Sequence, residues 1–527
     1  MDKSSRMMNS VFWVSAIVIV AMVLWGAFDA AGMSRWADQA YTFVTEAFSW
    51  FYLLSVLAIV LFCAWLAISK YGKVKLGRDD EKPKYSYFAW IGMLFSCGFG
   101  AGLVFWGIAE PMTHFATSPT GSDGMTSEAG RRAMQYSFFN WGVHQWSVFT
   151  IVGLALAYIQ FRKKETGMIS DTLNPIIGKE KKKTLRKTIN TLAVITTVLG
   201  VATSLGMGIL QINGGLNHVF AVPQNSMSLF FITMTLLVLY LISALTGLDK
   251  GIKFLSILNM SLAIGMIIVV LILGPTQFIF EAFVLGLGDY IQNFFGMSLG
   301  MSPYDGNTWS KAWTVNYWAW VIAWSPFVGA FIARISRGRT IREFVFGVLI
   351  VPPLIAIIWI AVFGGTALHM DLFQGANIAG AVQKDVTSAL FATFENFPMS
   401  SFLSVVFLIL IVTFLVTSAD SAAFVLAMMT SGGDPNPSNL LKATWGILMA
   451  AIVVVLINSS GLAGLQTASL VAALPFTIIL LLMGVALLKM LRSDQGAATV
   501  EETETSSEKE STYERVPIRS ALTTPKK

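Results

Sequence analysis

Residues Trp313 to Phe344 read WTVNYWAWVIAWSPFVGAFIARISRGRTIREF. On an α-helix turning about 100° per residue, Trp313, Tyr317, Trp320 and Trp324 fall within roughly 60° of one another, so four large aromatic side chains share one face. A membrane helix with this many indoles at mid-depth offers a surface suited to a cation that has no formal counter-charge beside it. Trp and Tyr also gather at bilayer edges and in packed clusters. The stretch therefore reads as half of a substrate cage or as packing, and other segments must decide.

The chain has 527 residues, 55% hydrophobic and 13% charged, with mean hydropathy +0.66. That balance excludes a soluble domain and predicts an all-α polytopic membrane protein whose first partner is the lipid bilayer. Twelve segments are long and apolar enough to cross, over 11–31, 50–69, 88–109, 135–160, 189–216, 227–247, 252–275, 314–333, 343–368, 400–430, 438–459 and 466–491. The first is too long for a signal peptide and lacks a small-residue cleavage site. Cys63 and Cys97 lie inside apolar segments and read as small buried hydrophobes. Basic residues fill every second loop: Lys70 to Lys84 after span 2, Arg162 to Lys164 and Lys181 to Lys187 after span 4, Lys250 and Lys253 after span 6, Arg334 to Arg342 after span 8. This alternation places both termini in the cytoplasm and explains the basic clusters without a nucleic acid partner.

Span 3 reads FSCGFGAGLVFWGIAEP from Phe95 to Pro111. Gly98, Gly100 and Gly102 at alternate positions cost helix stability, which predicts either a broken helix lining a cavity or close packing through small residues. No strand precedes these glycines, so a dinucleotide loop is excluded. Span 4 carries FFNWGVHQWSVF, in which Trp146 and Phe149 share a face while Trp141 lies about 140° away on an ideal helix. His144 is the only histidine deep in a span, and reads as a packing residue before a proton relay. Thr197, Thr203 and Ser204 in span 5 either bond back to their own helix or offer oxygen to a cation. Residues 278–295 read as an amphipathic surface helix. In span 10, Thr417 and Ser418 supply adjacent hydroxyl oxygens of the hard type that suits an alkali cation, and Asp420 requires a partner at that depth.

With these residues in view, the chain resembles the betaine/choline/carnitine transporter family from about residue 10 to 490, most specifically through WSPFVGAFIARISRGRT from Trp324 to Thr340. The resemblance implies a LeuT-type fold of about twelve helices with two inverted five-helix repeats, and a homotrimer. It divides the chain into 1–87 (tail, two peripheral spans and a cytoplasmic loop), 88–275 (first repeat), 276–313 (surface helix and linker), 314–491 (second repeat) and 492–527 (a disordered cytoplasmic tail). It also implies an aromatic box of Trp141, Trp146, Phe149, Trp320 and Trp324 with Gly98, Gly100 and Gly102 at the substrate. The implied sodium site has backbone oxygens near Ser96, Phe99 and Phe414 with the hydroxyls of Thr417 and Ser418, and Thr197 stands at a weaker second one. Four departures from the family pattern stand out: Val201 cannot supply an oxygen to the second sodium site, Gly98-Phe99-Gly100-Ala101-Gly102 stands where GMGIG is common, Val321 follows Trp320 where the family often pairs tryptophans, and Phe149 stands where Tyr is common.

The expected function is secondary import of glycine betaine or a related quaternary ammonium compound by sodium symport across the cell membrane, Na+ being the coupling ion and no other cofactor being needed. A carnitine-type exchanger and a proton-coupled choline carrier are the nearest alternatives. The chain is not expected to be an enzyme: no GxxxxGK[ST] loop or HExxH motif occurs, and His114, His144, His218 and His369 are scattered over different segments.

Overall fold

In hydrocarbon a backbone is satisfied within its own segment only as a helix. The computed structural model describes residues 9–98, 100–178, 182–246, 251–304 and 306–513, and among them the only β-type pairing is one antiparallel bridge, Lys75 to Thr340. The longer helices are α1 (Ser10–Phe28), α2 (Ala30–Ile68), α3 (Tyr87–Gly98), α4 (Ala101–Ala116), α5 (Ser127–Asn140), α6 (Val143–Ala157), α7 (Lys183–Phe220), α8 (Ser226–Thr246), α9 (Gly251–Leu273), α10 (Thr276–Gln292), α11 (Thr314–Ile335), α12 (Ile341–Gln374), α13 (Ser400–Thr430) and α14 (Asn439–Tyr513). The last part of the expected tail, 514–527, lies outside the described residues.

Among the described residues ten helices are long and apolar enough to span a membrane, against twelve predicted segments. The difference has two physical sources. Predicted span 3 is divided into α3 and α4, each too short to cross alone, with Gly100 extended at φ −117°, ψ 170°. The last two segments are both present, as two helices that run on from one another through a kink at Gly461 (φ 58°, ψ −137°), a non-helical conformation that glycine adopts at little cost, so that the single range of α14 covers both.

The aromatic helix α11 is buried along most of its length. Glycines let its neighbours approach. A Cβ on Gly329 of α11 would lie 3.0 Å from the Gly153 amide of α6, and a Cβ on Gly200 of α7 would lie 2.7 Å from the Ala323 carbonyl carbon. Such approach is open only to small residues.

The basic loops converge on one face. Leu76 N–H donates to the Arg339 carbonyl at 2.8 Å and Gly338 N–H to the Leu76 carbonyl at 2.8 Å, joining the loop after α2 to the loop after α11. Arg162, past the end of α6, donates to Asp79 at 2.7 Å, and Arg337 to Glu81 at 2.5 Å. Asp494 accepts from Lys163 and Tyr158, bringing in the end of the last span. The Arg162 guanidinium holds the Asp79 carboxyl below its ordinary range. The loops after spans 2, 4 and 8 therefore share a face of the protein, while Lys250, after span 6, lies outside the described residues. On another part of the molecule α10 is clamped to α5 by the two-pronged Arg131–Asp289 pair at 2.7 and 2.8 Å, in which the arginine keeps the Asp289 carboxyl ionised to lower pH.

Candidate functional site

The predicted span 4 is not one helix. α5 ends at Asn140, Trp141 takes φ −95°, ψ 2°, and Gly142 is extended before α6 starts at Val143. Gly142 is required there, since a Cβ would meet the Tyr290 hydroxyl at 2.5 Å and the Phe138 carbonyl at 2.8 Å. Tyr290 of α10 accepts the Val143 N–H at 3.1 Å and so serves as the cap that Gly142 cannot provide. The break removes the 140° offset expected of a continuous helix. Trp141 now meets Trp320 edge to face with ring centroids 6.0 Å apart, and Tyr317 at 5.7 Å.

On α11 the predicted wall is continuous: Trp313 to Tyr317 at 6.4 Å, Tyr317 to Trp320 at 6.0 Å and Trp320 to Trp324 at 6.5 Å. It faces α6, where Phe149 lies 6.1 Å from Trp324 and 5.3 Å from Trp146. Trp141, Trp146, Phe149, Trp320 and Trp324 all line one small cavity. Gly100 and Gly102 at the α3–α4 break and Ser418 of α13 complete its wall, with Gln145, Val201, Ser204 and Val321. The free room between the ring faces is narrow. Of the four aromatics on the shared face, Trp320 and Trp324 thus line an interior cavity, while Trp313 and Tyr317 pack against Trp106 beside it.

The profile of the betaine/carnitine/choline family transporters matches residues 10–496. The chain belongs to this family. It is 54% identical to the ectoine/hydroxyectoine transporter of Virgibacillus pantothenticus over 94% of this chain and 99% of that one. To the glycine betaine transporter OpuD of Bacillus subtilis (strain 168) it is 45% identical, covering 92% and 95%. To the osmo-dependent choline transporter BetT2 of Acinetobacter baylyi it is 36% identical, covering 92% and 72%. As a betaine/carnitine/choline family member it is a multi-pass membrane transporter and not an enzyme.

Where this family member's ion ligands were expected, Ser418 lies on the cavity wall. Thr417, one residue before it, donates to the Thr413 and Phe414 carbonyls of its own helix at 3.1 and 2.9 Å and accepts from Asn259 of α9 at 3.3 Å. Phe99 and the side chain of Ser96 lie outside the described residues, and Gly98 is the last residue of α3. Thr197 donates to the Ala193 carbonyl at 2.7 Å, while its neighbour Val201 reaches the cavity. Asp420 has the partner its burial demands, accepting from Ser243 at 2.5 Å. His144 bonds Ser298 at 2.7 Å and stacks on Trp318, as a packing residue does.

Sequence reading passed over two residues, Gln145 and Glu110, and missed the part that Ser204 plays for a cage ring. Ser204 accepts the Trp320 indole N–H at 3.0 Å and fixes that ring. Gln145 lines the cavity with a buried, unpaired amide oxygen, alongside the unpaired indole N–H groups of Trp146 and Trp324. Glu110, fully buried on α4, accepts from four side chains. Glu110 was legible, because a carboxylate within an apolar segment always calls for an explanation. Gln145 and Ser204 were not, because only the packing shows which way they face.

Proposed function

We propose that this transporter imports a small zwitterionic solute of the ectoine and glycine betaine class across the cell membrane, by sodium symport with alternating access between two inverted repeats. The cavity walled by four indoles and a phenyl ring carries this reading, because stacked π faces stabilise a diffuse cation without a carboxylate to compete with the solute's own. The unpaired indole N–H groups and the extended backbone at Gly100 are donors available to that carboxylate. Ser418 on the same wall, opposite the break between α3 and α4, supports sodium as the coupled ion: an ion bridging α13 and the break would tighten the cage, and solute would favour ion binding in return. The grouped basic loops support cytoplasmic termini, and the family supports a homotrimer.

Proteoliposomes holding the purified protein test this with labelled ectoine, glycine betaine, choline and carnitine, imposing sodium and pH gradients separately. An inward sodium gradient is expected to drive ectoine and betaine uptake, and Ser418→Ala to raise the sodium concentration for half-maximal rate about tenfold. Uptake that ignores sodium, or follows a pH gradient alone, would remove the symport reading.

Within the class, the cage favours a cyclic amidinium such as ectoine over a trimethylammonium. A buried acceptor left unpaired costs about 1–3 kcal/mol, and Gln145 Oε1 can recover this from an amidinium N–H but not from N-methyl groups. Gln145→Leu should therefore raise KM for ectoine by about tenfold and leave that for glycine betaine within about twofold. Equal changes for both solutes would assign Gln145 to packing instead.

A further inference from the structure

The cage is not held by its rings alone. Glu110 sits on α4 with no exposed surface, two to three helical turns past the break at Gly100. One carboxylate oxygen accepts from Asn140 Nδ2 at 2.8 Å and His114 Nε2 at 3.3 Å; the other accepts from the Trp141 indole N–H at 2.7 Å and from the Tyr317 hydroxyl. His114 joins this set as a donor through the tautomer that carries its proton on Nε2. Thr314 of α11 reinforces the set by donating to Asn140 Oδ1 at 3.3 Å.

These donors come from different parts of the fold. Trp141 belongs to the junction between α5 and α6, Tyr317 to α11, and Glu110 to the helix that begins at the break. Trp141 is a cage wall, and Tyr317 stands between Trp141 and Trp320 at 5.7 and 6.0 Å. At the other end of α4, Gly100 and Gly102 line the cavity, and a Cβ on Gly102 would fall 2.4 Å from the Trp320 ring. One short helix thus lines the cavity with its first turn and, through Glu110 in its third, holds the cage residue Trp141 and its neighbour Tyr317.

We propose that Glu110 is a positioning residue that couples the α3–α4 break to the aromatic cage, so that cation binding at the break sets the distance between Trp141 and α11 and with it the affinity for solute. This rests on the sodium-symport reading above. A carboxylate suits the role because four donors converge on two oxygens, and each is stronger for the charge. Glutamine in its place offers one acceptor oxygen and turns an N–H₂ toward donors.

The experiment measures binding of labelled ectoine and glycine betaine to purified protein in sodium and in potassium, alongside uptake kinetics. Glu110→Gln is expected to raise KM tenfold or more, to change Vmax by less than about threefold, and to remove the tightening of solute binding by sodium. Glu110→Asp should recover part of that tightening. Tyr317→Phe deletes one donor and should give a smaller loss of the same kind, and the Glu110→Gln, Tyr317→Phe double variant should be no worse than Glu110→Gln alone. If Glu110→Gln binds solute with the full sodium effect, the inference is overturned. Should that variant not be recovered as a monodisperse protein, an undiminished sodium effect in Tyr317→Phe overturns it equally. A wild-type protein whose solute binding ignores sodium would instead remove the symport reading itself.

Discussion

Replacing Trp324 with leucine is expected to abolish measurable high-affinity uptake while the protein still folds. The ring stacks on Trp320 at 6.5 Å and meets Phe149 at 6.1 Å and Phe327 at 5.6 Å, so it joins the two walls of the cage at one edge. A cation–π contact in a desolvated site is worth about 2 kcal/mol, which corresponds to roughly thirtyfold in KM. The loss should exceed that value, since Phe149 loses its neighbour as well. Leucine keeps part of the apolar volume, and Trp324 is only partly enclosed because it borders the cavity, so stability should fall far less than affinity. Trp318 supplies the contrast. It is fully buried against His144 and Phe139, on the side of α11 away from the cavity. Trp318→Leu should lower the unfolding temperature by several degrees and leave KM near its original value. Uptake assays and thermal unfolding on both variants separate the two roles. A Trp324→Leu protein with unaltered KM would mean that the rings do not hold the solute.

Much of this aromatic wall was legible in the sequence. Four aromatics at spacings of three and four residues can share a side of a helix only in one phase, and the structure keeps that phase from Trp313 to Trp324. Glycines at alternate positions in span 3 announced the break at Gly100, because no other residue type weakens a helix so cheaply. The break at Trp141 and Gly142 escaped notice for a physical reason. Its cause is not local: a single glycine in an apolar run reads as packing, whereas here the Tyr290 hydroxyl from α10 supplies the cap that makes the second helix start. The same holds for the kink at Gly461 and for Gln145, whose sequence context is ordinary and whose significance lies in having no partner. Residues that matter through what they touch within one helix were found. Residues that matter through what another helix brings to them were not.

Gly200 lies where such inter-helix fitting is tightest, and Gly200→Ala should cost both stability and transport. Alanine is the better helix former by about 1 kcal/mol, so an unobstructed site would gain from the change. This site is obstructed by backbone. The new Cβ would stand 2.7 Å from the Ala323 carbonyl carbon, 2.9 Å from its oxygen and 2.9 Å from the Trp324 amide nitrogen, and none of these atoms can rotate aside. Overpacking of this kind costs about 1–3 kcal/mol, so with backbone atoms on all sides the clash is expected to win and leave a net loss of up to about 2 kcal/mol. The functional loss should be larger than that number implies. α7 also carries Ser204, whose hydroxyl fixes the Trp320 indole at 3.0 Å, and moving α11 off α7 stretches that bond and shifts Trp320 and Trp324 together. At Gly265 on α9, by contrast, an alanine methyl would meet nothing within 4 Å among the described residues, so Gly265→Ala should be neutral or stabilising by up to about 1 kcal/mol. If both alanine variants unfold and transport alike, then α7 and α11 are not held at glycine distance, and the cage between them cannot depend on that contact.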